Sequence, residues 1–255
     1  MAEVTNRDDL NVSYGFKTVP ARVKTGMIQK HFSAIAGTYD LADALLSLGL
    51  NVLWRKSAMQ LLQLPREALV LDLCGGTGDF SFLAAGGIGP SSPVVLYDFN
   101  PAMIRKAMQR RATHRKTGKI ICVRGDAENI AFHDNVFDAV MIGFGIRNLA
   151  HPVMGIRESY RVLKRGGALM ILEFSLPLNR WLRKVYDFYS FRVMPSLGKL
   201  ITGAQDPFSY LAESIRVFPA PDALLSILKE NRFSRPSFSR LTNGIAVVYM
   251  AYKDS

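Results

Sequence analysis

With 255 residues and 49% hydrophobic side chains, the chain has enough apolar material for one large core, and no apolar run approaches the ~20 residues of a bilayer-spanning helix. Two cysteines, Cys74 and Cys122, exclude a disulfide framework and offer no metal-ligand spacing. The N-terminus is polar and bears acids, unlike a secretory signal, so a cytoplasmic protein is expected. A net charge of +11 asks for an anionic neighbour, either nucleic acid or an anionic membrane surface.

Residues 1–26 read as a loosely ordered N-terminus, with apolar anchors in Tyr14-Gly15-Phe16-Lys17-Thr18-Val19-Pro20. Residues 27–63 turn helical through Ile28, His31, Phe32 and Ile35, then Leu45, Leu46, Leu53 and Trp54. This helical prefix precedes the first strand and can fold over a ligand crevice. From 64 to 175 strands alternate with helices. Strands are expected at 69–73, 94–98, 119–124, 137–142 and 168–174, and helices at 79–85, 101–114 and 151–163. Alternation of this kind predicts an α/β fold, a doubly wound and mostly parallel sheet with its ligand at the carboxyl ends of the strands. Residues 176–231 form a helical lid insertion. A helix over 178–193 gives way to a loop punctuated by Gly198, Gly203 and Pro207, and helices follow at 208–217 and 222–230. Residues 232–255 hold two β-rich runs joined by Thr242-Asn243-Gly244, a turn signature that predicts a terminal antiparallel hairpin.

Within this frame Val70-Leu71-Asp72-Leu73-Cys74-Gly75-Gly76-Thr77-Gly78-Asp79 is the organising stretch. A short apolar run ends in a loop with three glycines in four positions, and a helical pattern follows: strand, tight turn, helix. Asp98 ends the next apolar run, 20 residues after Gly78, where an acid takes ribose hydroxyls. The third glycine of a dinucleotide fingerprint is missing, and Asp72 and Asp79 bracket the loop. A pyrophosphate favours N–H groups without nearby anions. A ligand with an ammonium group and a ribose but no phosphate suits these carboxylates, and S-adenosylmethionine is such a ligand. Asp79 could instead simply cap its helix. Cys74 is read as a small buried hydrophobe. The densest basic cluster is Arg105, Lys106, Arg110, Arg111, His114, Arg115, Lys116 and Lys119, either a solvated helix face or a phosphate-binding one.

Taken together these features resemble the class I S-adenosylmethionine-dependent methyltransferases. Asp126-Ala127-Glu128-Asn129, Phe137-Asp138-Ala139-Val140 and Arg161-Val162-Leu163-Lys164-Arg165-Gly166-Gly167 fall in that family's order. The resemblance implies a seven-stranded sheet with its last strand inserted antiparallel, and an adenine site at Asp126 and Ala127. The peripheral segments are similar to one branch, the ubiquinone/menaquinone biosynthesis C-methyltransferases. They include Phe32-Ser33-Ala34-Ile35-Ala36 with Tyr39-Asp40, Ser47-Leu48-Gly49 with Leu53-Trp54-Arg55, Gly143-Phe144-Gly145-Ile146-Arg147-Asn148, Leu172-Glu173-Phe174-Ser175, Tyr210-Leu211-Ala212-Glu213-Ser214-Ile215 and Leu241-Thr242-Asn243-Gly244-Ile245. Departures from the branch are Gly143, often Ser there, and Asp43-Ala44, Asn51-Val52 and Lys164-Arg165. The cofactor-binding residues expected are Asp72, Gly75, Gly76, Thr77, Gly78, Asp98, Met103, Asp126, Ala127 and Gly143.

What this resemblance implies is methylation of a ring carbon of a polyprenylated quinol. Such a carbon becomes nucleophilic when a neighbouring phenol loses its proton. Arg147, just beyond the fourth strand, is expected to stabilise the phenolate, since an arginine that stays protonated is a poor base. Tyr39, Asp40, His151 or a water could take the proton. Arg147 could alternatively form a salt bridge to the helical prefix, and structural or solvent roles are assigned to His31 and His133. The aromatic, basic segment 180–192 reads two ways, as a lid that receives the polyprenyl tail or rests on the bilayer, or as an extra layer packed on the sheet. Other enzymes of quinone biosynthesis are conceivable partners, and nucleic acid is not expected as a substrate.

Overall fold

The computed structural model describes residues 7–89, 91–113 and 119–254. After a short 3-10 turn at Arg7–Asp9 come a hairpin, β1 (Asn11–Tyr14) and β2 (Lys17–Pro20), and three helices, α1 (Ala21–Ile35), α2 (Tyr39–Leu46) and α3 (Leu50–Leu62). The alternating part follows as β3 (Val70–Leu73), α4 (Asp79–Gly87), β4 (Val94–Asp98), α5 (Pro101–Thr113), β5 (Ile120–Arg124), β6 (Phe137–Gly143), α6 (Pro152–Val162) and β7 (Leu163–Phe174). The lid comprises α7 (Arg180–Phe188), a π-helical turn at Tyr189–Val193, α8 (Met194–Thr202), α9 (Asp206–Val217) and α10 (Pro221–Glu230). β8 (Ser234–Leu241) and β9 (Ala246–Tyr252) close the fold.

Seven strands form one sheet in the order β5-β4-β3-β6-β7-β9-β8. β3 pairs in parallel with both β4 and β6, so the chain winds outward in two directions from β3. This switch point is where an open α/β sheet leaves a crevice at its carboxyl edge. β9 runs antiparallel between β7 and β8. The two-residue period of a strand sends alternate side chains of β3 to opposite faces. Val70 packs with Trp54, Phe80 and Ala84 from α3 and α4, while Leu71 and Leu73 pack with Ile156 and Leu228 from α6 and α10. A third, smaller core joins Ala42 of α2 to Met194, Phe208 and Ala212 of the lid.

The expected fold class holds, and three local expectations do not. The N-terminus is not loose over residues 11–26, because its anchors dock far along the chain. Tyr14 is buried and stacks on Tyr210 with ring centroids 4.6 Å apart, and Phe16 N donates to Glu213 Oε2 at 3.1 Å. Gly198 does not break the lid. It lies inside α8, where a Cβ would collide with the Phe208 ring, so glycine here lets α8 and α9 approach closely. The basic cluster is only partly a solvated face: Arg110 pairs with Asp79 at 2.8 Å, and Arg111 donates to Ile120 O at 2.8 Å. His114, Arg115 and Lys116 lie outside the described residues.

Prefix and lid close together over the crevice. Asn100 Nδ2 donates to Gln29 O of α1 at 2.8 Å and to Ser33 Oγ at 3.0 Å. Trp54 Nε1 of α3 donates to Thr242 Oγ1 in the terminal hairpin at 2.8 Å, and Tyr189 of the lid donates to Leu46 O of α2 at 2.7 Å.

Candidate active site

The loop after β3 takes left-handed backbone at Cys74 (φ 58°), Gly76 (φ 56°) and Gly78 (φ 96°), and Gly78 opens α4. A Cβ on Gly75 would sit 2.8 Å from Leu96 Cγ, so the loop can lie against the end of β4 only with glycine there. That approach lets Gly76 N donate to Asp98 Oδ2 at 2.9 Å, while Asn100 N donates to Oδ1 at 2.7 Å. Burial pushes the Asp98 carboxyl up from its ordinary range, and these two backbone donors oppose the shift. Each carboxylate oxygen keeps a further lone pair, so Asp98 can still accept hydroxyls from a ligand.

Asp98 faces a cavity of about 400 Å³ between the strand ends and α1. Its floor includes Gly76, Phe99, Met103, Asp126, Ala127 and Gly143, and its ceiling Arg22, Ile28, Gln29 and Phe32. Four carboxylates, from Asp8, Asp98, Asp126 and Glu128, line it against one guanidinium, that of Arg22, which pairs with Asp9 at 2.8 Å. A pyrophosphate there would meet uncompensated negative charge. A cationic nucleoside meets complementary charge and a ribose acceptor, so these residues fit S-adenosylmethionine.

A second cavity of about 340 Å³ lies between the prefix helices and the lid. Its walls are apolar for the most part, with Leu46, Trp54, Phe174, Tyr186 and Phe208 among them. Arg147 reaches it from the short helical turn Ile146–Asn148 beyond β6. Its Nη1 donates to Phe144 O and, at 2.8 Å, to Glu173 Oε1. Glu173, on β7, is fully buried; Phe174 N also donates to its Oε1 at 2.8 Å, and Arg147 N to its Oε2 at 3.4 Å. Burial raises the Glu173 carboxyl, and the Arg147 charge pulls it back. The guanidinium also sits 5.3 Å over the Phe174 ring. Lys24 of α1 steadies the turn by donating to Arg147 O at 3.3 Å, its ammonium brought down to about 8 by burial. Among the described residues the hydrogen bonds of the guanidinium run through Nη1 and Nε is buried without a partner, which leaves Nη2 for the cavity.

The two cavities share five wall residues: Ile28, Phe32, Tyr39, Phe144 and Asn148. Asn148 Oδ1 is buried there without a partner among the described residues. Burial, reinforced by Asp43, raises the Tyr39 phenol far above its ordinary value, so Tyr39 keeps its proton at neutral pH.

Gly76, Asp98, Met103, Asp126, Ala127 and Gly143 thus stand on the nucleoside cavity, Arg147 on the apolar one and Tyr39 on both. The remaining expected site residues face elsewhere. Asp72 is 1% exposed beneath the loop and accepts from Ser81 Oγ at 2.6 Å; burial lifts its carboxyl to about 7. Gly75 and Gly78 shape the loop without lining the cavity. Thr77 donates to Asp40 Oδ1 at 2.6 Å, and Asp40 also meets Arg110 at 3.4 Å, so neither Thr77 nor Asp40 lines a cavity. Asp40 is therefore corrected from a candidate base to part of a polar clasp. Arg55 extends the clasp, holding Asp43 at 2.9 Å and Asp79 at 3.1 Å, and so ties α2 and α3 to α4. Asp79 does more than cap its helix. His151 lines the nucleoside cavity and not the apolar one. The salt bridge of Arg147 runs to β7, not to the prefix.

Sequence reasoning assigned no role to Glu173, although an acid inside an apolar strand was a signal that it needed a buried partner. His31 was read as structural or solvent-facing. It lines the apolar cavity, its Nε2 3.2 Å from the Tyr14 hydroxyl and its Nδ1 buried without a partner among the described residues. Burial lowers its pKa, which keeps it neutral. At Gly143 a side chain would run into the Phe80 ring, so this position offers the nucleoside cavity only its backbone.

The model of the ubiE/COQ5 methyltransferase family matches residues 12–253. A Pseudomonas fluorescens protein named ubiquinone/menaquinone biosynthesis C-methyltransferase UbiE is 41% identical over 94% of this chain and 94% of its own length. A Methylococcus capsulatus protein of the same name is 39% identical, over 94% and 97% respectively. Among solved structures, a methyltransferase of Thermotoga maritima, described as a possible histamine N-methyltransferase, is similar with a TM-score of 0.60. At 18% identity, covering 89% of this chain and 100% of that one, it is a likeness of fold alone.

Proposed function

The chain belongs to the ubiE/COQ5 methyltransferase family, and from that premise we propose that it transfers a methyl group from S-adenosylmethionine to a ring carbon of a polyprenylated quinol in menaquinone or ubiquinone biosynthesis. The observation that carries this reading is the wall common to the two cavities, one suited to a cationic nucleoside and the other apolar with a buried guanidinium. Bound S-adenosylmethionine supplies an electrophilic methyl on its sulfonium. Asp98 would accept its ribose hydroxyls, and Asp126, Ala127 and Met103 would hold its nucleoside end. The apolar cavity takes the quinol head and the first part of its tail.

Arg147 stabilises the phenolate through Nη2. Glu173 and Phe144 O hold the guanidinium in place beforehand, so little reorganisation accompanies charge development. Tyr39 keeps its proton and therefore donates a hydrogen bond rather than acting as base. Asp40 is engaged in the clasp and His151 faces the other cavity, so of the expected acceptors water is left to take the phenol proton in the apolar cavity. The mostly aromatic and aliphatic walls limit the access of bulk solvent to the transfer.

The test is direct. Purified protein is incubated with methyl-labelled S-adenosylmethionine and a short-tailed naphthoquinol or benzoquinol, and the product is analysed by mass spectrometry. Label on a ring carbon of one or both quinols is expected, and none on the oxidised quinones, which have no phenol to ionise. Label on oxygen, or equal labelling of quinol and quinone, would overturn the reading.

A further inference from the structure

The helix α7 buries none of its nine residues. Trp181, Val185 and Phe188 are 69%, 63% and 64% exposed, and their spacing of four and three residues sets them on one stripe. Between residues 178 and 205 the chain carries five cations, Arg180, Arg183, Lys184, Arg192 and Lys199, against a single acid. That acid, Asp187, is bound to Arg216. Lys184 Nζ lies 4.9 Å over the Trp181 ring, which places a cation at the edge of the apolar stripe. The stripe is continuous with the mouth of the apolar cavity, because Val185 belongs to both and Leu48, 82% exposed, lines the cavity from the prefix side.

We propose that α7 seats this protein on the surface of an anionic lipid bilayer. Trp181, Val185 and Phe188 enter the boundary between headgroups and acyl chains, and Arg180 and Lys184, on the flank of the stripe, meet the lipid phosphates. The apolar cavity then opens into the lipid phase. Among the described residues no helix is long and apolar enough to cross a membrane, so the contact is interfacial. A second copy of the chain is a poorer occupant, since a two-fold interface centred on α7 sets its cations against their own copies. What passes through the mouth rests on the polyprenylated-quinol reading; the lipid contact itself does not.

The experiment is co-sedimentation with vesicles of phosphatidylglycerol and phosphatidylcholine, compared with phosphatidylcholine alone. Wild-type protein should bind the anionic vesicles, lose that binding in high salt and ignore the neutral ones. The double variant Trp181→Ser/Phe188→Ser, which alters neither cavity lining, should bind the anionic vesicles roughly tenfold or more weakly. Its melting temperature and its turnover of a soluble short-tailed quinol should not change, while turnover of a long-tailed quinol in vesicles falls. Vesicle binding by a protein that methylates no quinol would leave the proposal standing and remove the functional reading. Equal vesicle binding by wild type and variant, or none by the wild type, would overturn the proposal. So would a lowered melting temperature in the variant, which would make the stripe core, or a wild-type dimer that the variant dissolves, which would make it a self-interface.

Discussion

The pair Arg147–Glu173 allows catalysis to be separated from folding. Arg147→Met removes the cation facing a fully buried carboxylate and leaves Glu173 with only the N–H groups of residues 174 and 147, at 2.8 and 3.4 Å. Removing one partner of a buried pair costs roughly 3–5 kcal/mol, or a fall in Tm of roughly 6–20 °C at this chain length. The sign of the pH dependence follows from the raised Glu173 carboxyl, which rises further without Arg147. The deficit is complete above the folded-state pKa of Glu173 and shrinks as pH falls and the carboxyl takes a proton. Arg147→Met/Glu173→Gln leaves no charge behind and should recover most of the lost stability. Turnover should behave differently. It should stay about 10²–10³ below wild type in both variants at saturating cofactor, the scale for one oxyanion-stabilising donor, while cofactor affinity barely moves. Urea denaturation across pH, set beside methyl-transfer kinetics, reads both quantities. If the double variant regains turnover together with stability, Arg147 holds the fold and stabilises no phenolate.

Other outcomes follow from the remaining geometry. Asp98→Ala should weaken S-adenosylmethionine binding by about 1.5–3 kcal/mol in calorimetry, as for hydrogen bonds to a charged acceptor; wild-type affinity should fall as pH drops through the raised pKa of Asp98, and a folded variant of unchanged affinity would refute the assignment. Ionising Asp72, whose ordinary value of 3.8 is lifted to about 7, costs the folded state up to roughly 4 kcal/mol as pH rises from about 4 to 7. Asp72→Asn should flatten that decline in a pH series of denaturation midpoints, and a variant declining in parallel with wild type would refute it. Gly143→Ser should destabilise by about 1–3 kcal/mol through overpacking against Phe80, and Phe80→Leu should restore part of the loss. A Tm unchanged by the serine would show that the Phe80 ring yields freely.

Local patterns carried most of the fold. The strand Val94–Asp98 was legible end to end, a continuous apolar run closed by an acid, and the glycine loop announced a tight turn against β4. What escaped was set by residues distant in the chain. The hairpin β1–β2 is held by Tyr210 and Glu213, about two hundred positions away, so its own short apolar run looked too weak to order. Gly198 carries the same letter whether it ends a helix or admits a neighbouring one, and only Phe208 decides between them. At the site, Asp98 and Arg147 could be placed at the crevice from strand ends, whereas Asp126 was expected from the family resemblance and Met103 lies on α5. Asp40, Asp72 and Thr77 could not, because the polar partners that turn them away from the cavities come from other elements.

The five residues common to both cavities have a thermodynamic consequence. Any ordering of Tyr39, Phe144 or Asn148 by the first ligand is ordering that the second need not produce, so the two affinities are linked. Linkage is reciprocal: whatever factor the nucleoside applies to the quinol, the quinol applies to the nucleoside. On the proposed function, methyl transfer would remove the sulfonium's positive charge beside this wall and so alter that factor, while the chamber assigned to the substrate would hold its methylated product. Release of the two products would then be coupled through the same partition that brought their precursors together.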